Sequence, residues 1–87
     1  MFDKVKEIID QWDPIDLLSI HCPNDEYDDI SFSISQKVET IVDVEELANY
    51  IFNLFVQEFD VSTFQKTMDD CRIIASKISE SKLKWQQ

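Results

Sequence analysis

Apolar residues recur along most of the chain at steps of three and four, the period of a helix with one buried face. Val5, Ile8, Ile9 and Trp12 mark a first helix over residues 2–12, with Asp3, Glu7 and Asp10 in an acidic row on a neighbouring face. Asp13 then has the character of a helix N-cap. Pro14 suits a first helical position, because its missing N–H would be unpaired there anyway. A short helix from Pro14 to about Ser19 follows, with Ile15 and Leu18 turned inward. His21-Cys22-Pro23-Asn24 reads as a loop, since the residue before a proline is pushed out of helical geometry. Tyr27, Ile30, Ile34, Val38 and Ile41 form a one-sided stripe that predicts a helix over residues 28–41. Residues 30–34 also alternate, Ile-Ser-Phe-Ser-Ile, so a short strand is the rival reading; the longer pattern favours helix.

Asp43-Val44-Glu45-Glu46 has the spacing of a capping box and opens a helix running to about Phe59. Apolar residues there cover most faces, which predicts a central helix buried on several sides, or else a partner-binding face. Ser62-Thr63-Phe64-Gln65 reads as a second capping box, opening a last helix from Thr63 to about Lys82. Phe64, Met68, Cys71, Ala75 and Ile78 give that helix a heptad-like seam. Lys77, Lys82 and Lys84 suit the negative end of its dipole. The pattern predicts a compact all-α bundle of four main helices, the second one short, with an antiparallel C-terminal pair, in one domain over residues 1–87.

Composition narrows the chemistry. The chain has 87 residues and no glycine, which removes every Gly-rich phosphate cradle, nucleotide fingerprint and nucleophile elbow. A chain this short buries roughly 60–65% of its unfolded surface, leaving little room for a deep cleft beside a core. Eighteen acids against eight bases give a net charge of −10, and the imbalance is uneven. Residues 1–61 hold fifteen acids and three lysines, whereas residues 62–87 are slightly basic. Such a body repels nucleic-acid phosphates and anionic membranes, and favours fast encounter with a basic protein surface. Acidity also serves plain solubility. The longest uncharged run in the apolar middle, Leu47 to Gln57, is far short of the about 20 apolar residues of a membrane span. The opening Met1-Phe2-Asp3-Lys4 is neither a signal nor a transit peptide, so the expected location is the cytoplasm, with Cys22 and Cys71 as free thiols.

Candidate catalytic chemistry is thin. His21 is the single histidine, and with two distant cysteines it is a poor start for zinc. Asp25, Glu26, Asp28 and Asp29 lack the glycine and terminal glutamate of a calcium loop. No pair of carboxylates is set apart for acid–base work, and His21-Cys22 are adjacent without a nucleophile motif. The expectation is no enzyme, no metal and no cofactor. The run Asp25, Glu26, Tyr27, Asp28 and Asp29 reads either as solvated helix-start acids or as an acidic patch with an aromatic anchor.

Gln11-Trp12-Asp13-Pro14-Ile15-Asp16-Leu17-Leu18, followed by Asp25-Glu26-Tyr27-Asp28-Asp29-Ile30, resembles a small bacterial all-helical family of unknown function. Its members typically read Trp-Asp-Pro-Ile-Gly-Leu, a short loop, Asp-Glu-Tyr-Asp and then Glu-Ile; this chain has Asp16 and Asp29 at the departing positions. The motif has a folding explanation. Trp12 would pack in the core, Asp13 and Pro14 would start a helix, Tyr27 would lie over the first helices and Asp28 would cap the next. The resemblance also implies a function, because similar proteins occur as immunity proteins beside toxin domains of bacterial competition systems. The expected partner is then a basic toxin domain, a nuclease, met by Asp25, Glu26, Tyr27, Asp28 and Asp29, with Asp3, Glu7 and Asp10 as a second acidic face. The alternative is a structural or regulatory module with no toxin partner, homodimeric through the apolar surplus of Phe52, Val56 and Phe59.

Overall fold

Helix starts and stops in this chain are set by side chains rather than by glycine. A computed structural model describes residues 2–15, 27–41, 43–60 and 62–85, the side chains of residues 83–85 excepted. Within them lie α1 (Phe2–Trp12), α2 (Asp28–Val38), α3 (Val44–Phe59) and α4 (Met68–Trp85), and no strand. The alternating segment 30–34 is helical, as the longer stripe requires.

α1 buries Val5 and Ile9, one turn apart, with Ile8 and Trp12 half-buried beside them. It ends where Asp13 donates its N–H to Ile9 O at 2.9 Å and turns to φ 42°. That left-handed backbone is not the extended geometry of an N-cap, so Asp13 closes α1 instead of opening a second helix. Pro14 is buried in the following turn. The rest of the short helix expected over residues 14–19 lies outside the described residues.

α2 begins after Tyr27, which sits at the N-cap without a side-chain cap bond, so Asp28 is a first-turn residue and not the cap expected of it. The stripe Tyr27, Ile30, Ile34, Val38 and Ile41 is buried throughout, and Ser31 and Ser35 are buried with it. The serines share a flank of α2 with Asp28, which pairs with Lys6 of α1. The helix ends at Val38, and Ile41 returns to the core through a turn.

The N-cap expected at Asp43 is present: its carboxylate accepts the Glu45 N–H at 3.0 Å. α3 then buries Leu47, Ala48, Ile51 and Phe55. Each helix packs on its neighbours in sequence, and α4 closes the ring on α1. α3 is therefore one wall of four and not a central helix. Its surplus apolar residues are covered by an aromatic cluster. Phe64 stacks on Phe55 with ring centres 4.9 Å apart, and Trp12 meets both rings edge-on at 5.5 and 5.9 Å. Phe52 lies 5.8 Å from Phe64, and Phe59 lies against Phe55 and Tyr27.

Phe64 reaches that cluster because α4 starts later than its sequence suggests. The chain reverses at Asp60, and Phe64–Thr67 runs back beside α3 without helical structure. Thr67 is the true cap: its hydroxyl accepts the Asp70 N–H at 3.2 Å, while Asp70 Oδ2 accepts the Thr67 N–H at 3.1 Å. The box at Ser62 does not form as expected; Gln65 instead donates to the Ser62 carbonyl. α4 runs antiparallel to α3, with Arg72 paired to Glu45 at 2.7 Å and Lys82 donating to Val38 O at 2.6 Å.

Candidate functional site

The two acidic segments of the sequence meet through one lysine. Asp3, Glu7 and Asp10 share a face of α1 with Lys6, and the Lys6 ammonium reaches Asp10 Oδ2 at 2.9 Å and Asp28 Oδ1 at 2.6 Å. Those bonds, first to Asp28 and then to Asp10, raise the Lys6 pKa above its ordinary value. α1 and α2 run antiparallel here, since Phe2 and Phe32 lie 6.2 Å apart at the other end of the pair. Asp29 is exposed, one residue beyond Asp28. Asp3 and Glu7 are exposed as well, with Lys4 at 3.8 Å from Glu7. Five carboxylates thus share this part of the surface with Lys6 and Lys4, leaving it negative.

Phe32 lies on the exposed side of α2, one turn from Asp29, and is 52% exposed. Sequence reading missed it as a candidate. The signal was available, because the stripe 27/30/34/38 places position 32 on the far side of the helix.

Tyr27 has the opposite fate. It is 0% exposed, which corrects its expected role as the aromatic anchor of a surface patch. Its hydroxyl donates to Asp13 Oδ1 at 2.6 Å and accepts the Ile15 N–H at 3.2 Å. Tyr27, at the start of α2, is thereby joined to the segment Asp13–Ile15 that follows α1. Asp25 and Glu26, like His21 and Cys22, lie outside the described residues.

Cys71 is a buried thiol whose pKa is pushed up to about 12, by burial first and then by the neighbouring Asp70 charge. A thiol held protonated at neutral pH is a core residue and a poor nucleophile. Among the described residues, no group of three or more His, Cys, Asp or Glu side chains could hold a metal ion. No described helix is long and apolar enough to cross a membrane.

No curated protein and no solved structure matches the chain. The model of the family described as "Domain of unknown function (DUF1871)" matches residues 4–84, nearly the whole length, and the chain belongs to that family.

Proposed function

We propose that this protein is a cytoplasmic immunity protein, which binds and neutralises a cognate toxin domain of a bacterial competition system. The toxin is a basic nuclease in this reading. The observation that carries it is the joining of two acidic segments on α1 and α2 beside the exposed Phe32. A nuclease must hold phosphates and so presents a basic surface. An acidic inhibitor would find that surface quickly and could cover the phosphate site. Phe32 supplies the apolar contact that charge alone lacks, as aromatic residues do at the centres of interfaces. Asp3, Glu7 and Asp29 are the exposed carboxylates of the contact, and Asp10 and Asp28 hold its two helices together through Lys6.

The test is affinity capture from a native host lysate, eluted with rising salt and read by mass spectrometry. The captured partner is then assayed on DNA and RNA, alone and with one equivalent of this chain. A basic partner whose nuclease activity disappears at one equivalent supports the reading. A partner with no toxic activity, or one that stays active in the complex, overturns it.

The alternative was a homodimeric structural or regulatory module. The side chains it would use, Phe52, Val56 and Phe59, are half-buried and packed against the core, with Phe52 and Phe59 engaged in the aromatic cluster. Sedimentation at high concentration tests it directly, and a dimer would support it.

A further inference from the structure

Between α1 and α4 lies a groove of about 370 Å³, which borders the acidic row at Gln11, one turn beyond Glu7. Ile8, Gln11, Trp12, Ile74 and Lys77 line it. Ile74 is buried, and Ile8 and Trp12 are half-buried. Trp12 is held from behind by the edge-on contacts with Phe55 and Phe64, so the apolar wall is fixed before anything binds. Among the described lining residues, the polar groups are one amide and one ammonium, on the exposed Gln11 and Lys77.

Neither polar group has a hydrogen-bond or ion-pair partner among the described residues. The Asp13–Tyr27–Ile15 bonds and the burial of Pro14 account structurally for the segment that follows Trp12. The Gln11 side chain makes no hydrogen bond among the described residues. The cations tell the same story. Lys4, Lys6 and Arg72 form ion pairs, Lys82 binds the Val38 carbonyl, and Lys37 lies over the Tyr50 ring. Lys66 and Lys77 have no such contact among the described residues, and of the two it is Lys77 that lines this groove. Lys77 is therefore an exposed ammonium beside apolar side chains, and a carboxylate could pair with it there by a charge-assisted hydrogen bond.

We propose that this groove binds a small carboxylic acid with a flat or branched apolar body. The carboxylate pairs with the Lys77 ammonium and accepts from the Gln11 amide, while the body lies on Trp12, Ile8 and Ile74. The volume is at the small end of ligand sites, which run from about 300 to 1,000 Å³. The site borders the acidic face at Gln11 but does not depend on the proposed function.

Replacing Trp85 by Phe leaves Trp12 as the only indole, so its emission reports on the groove. The probes are phenylacetate, 4-methylpentanoate and the neutral phenylacetamide. We expect a saturable change with either acid below about 10 mM, and phenylacetamide weaker by roughly tenfold or more. Lys77→Gln should lose affinity by a similar factor, and Lys77→Arg should keep it, with circular dichroism showing both folded. Failure to saturate, equal binding of the amide, or full affinity in Lys77→Gln would each overturn the site. Binding of a peptide C-terminus such as acetyl-Gly-Gly-Phe where the free acids do not bind would overturn the small-molecule assignment.

Discussion

At the scale of single residues, the strongest commitments are polar groups placed inside the core. The Tyr27 hydroxyl is both donor and acceptor there, between Asp13 Oδ1 and the Ile15 N–H. Tyr27→Phe keeps the ring and removes both bonds. It should lower unfolding stability by about 1–3 kcal/mol, read as a shift of the urea midpoint with an unchanged slope. An unchanged midpoint would mean that the clasp contributes nothing. Ser31 predicts the reverse sign. It is fully buried, and its Oγ has no hydrogen-bond partner among the described residues. Ser31→Ala removes an unpaired hydroxyl and places a better helix former at that position, so stability should rise by about 1 kcal/mol. A fall in the same urea measurement would show that the hydroxyl is satisfied in solution. The sequence made Tyr27 and Asp13 conspicuous through their motifs, but pairing across fourteen residues is a tertiary fact that no local spacing encodes. The burial of Tyr27 was half legible: it heads the apolar stripe of α2, yet four acids surround it in sequence and suggest a surface.

At the scale of elements, periodicity located the helices and local chemistry misplaced some of their ends. The beginning of α4 shows why. Ser62 and Thr67 are each a hydroxyl residue followed three positions later by a polar acceptor, so both fit a capping box. What separates them is Phe64. Stacking on Phe55 holds it in the aromatic cluster and keeps residues 64–67 out of a helix, which leaves the cap to Thr67. Thr67→Ala should therefore cost about 1 kcal/mol of stability, and Ser62→Ala much less. Thermal melts of the two variants side by side check this; equal losses would return the cap to the earlier position. The same aromatic cluster explains why the expectation of a central α3 failed. Its extra apolar residues are covered by Phe64 from the following connection and Trp12 from α1, and neither contact is visible in the pattern of α3 alone. The antiparallel pairing of α3 with α4 was legible, because a short connection between two amphipathic helices leaves few other arrangements.

At the scale of the whole molecule, the net charge of −10 is the property most exposed to test. If the acidic face on α1 and α2 is the contact, position must matter beyond total charge. Asp10 and Asp28 are unsuitable for the experiment, because replacing either would break the Lys6 bridge and confuse binding with stability. Asp3, Glu7 and Asp29 are exposed and can be changed together to lysine. Each replacement alters the charge by two, taking the chain from −10 to −4. The control changes Glu46, Glu58 and Glu80 to lysine, which are also exposed but lie outside this face. Circular dichroism must show both variants folded, because Asp3, Asp29 and Glu46 are first-turn acids favoured by the helix dipole while the lower net charge relieves repulsion. Association with the captured basic partner should slow by about tenfold or more in the first variant, and its salt dependence should flatten. The control should lose only the smaller, long-range share of the attraction. Equal slowing in both variants would reduce the face to a contributor of net charge, and no slowing in either would remove it from the interface.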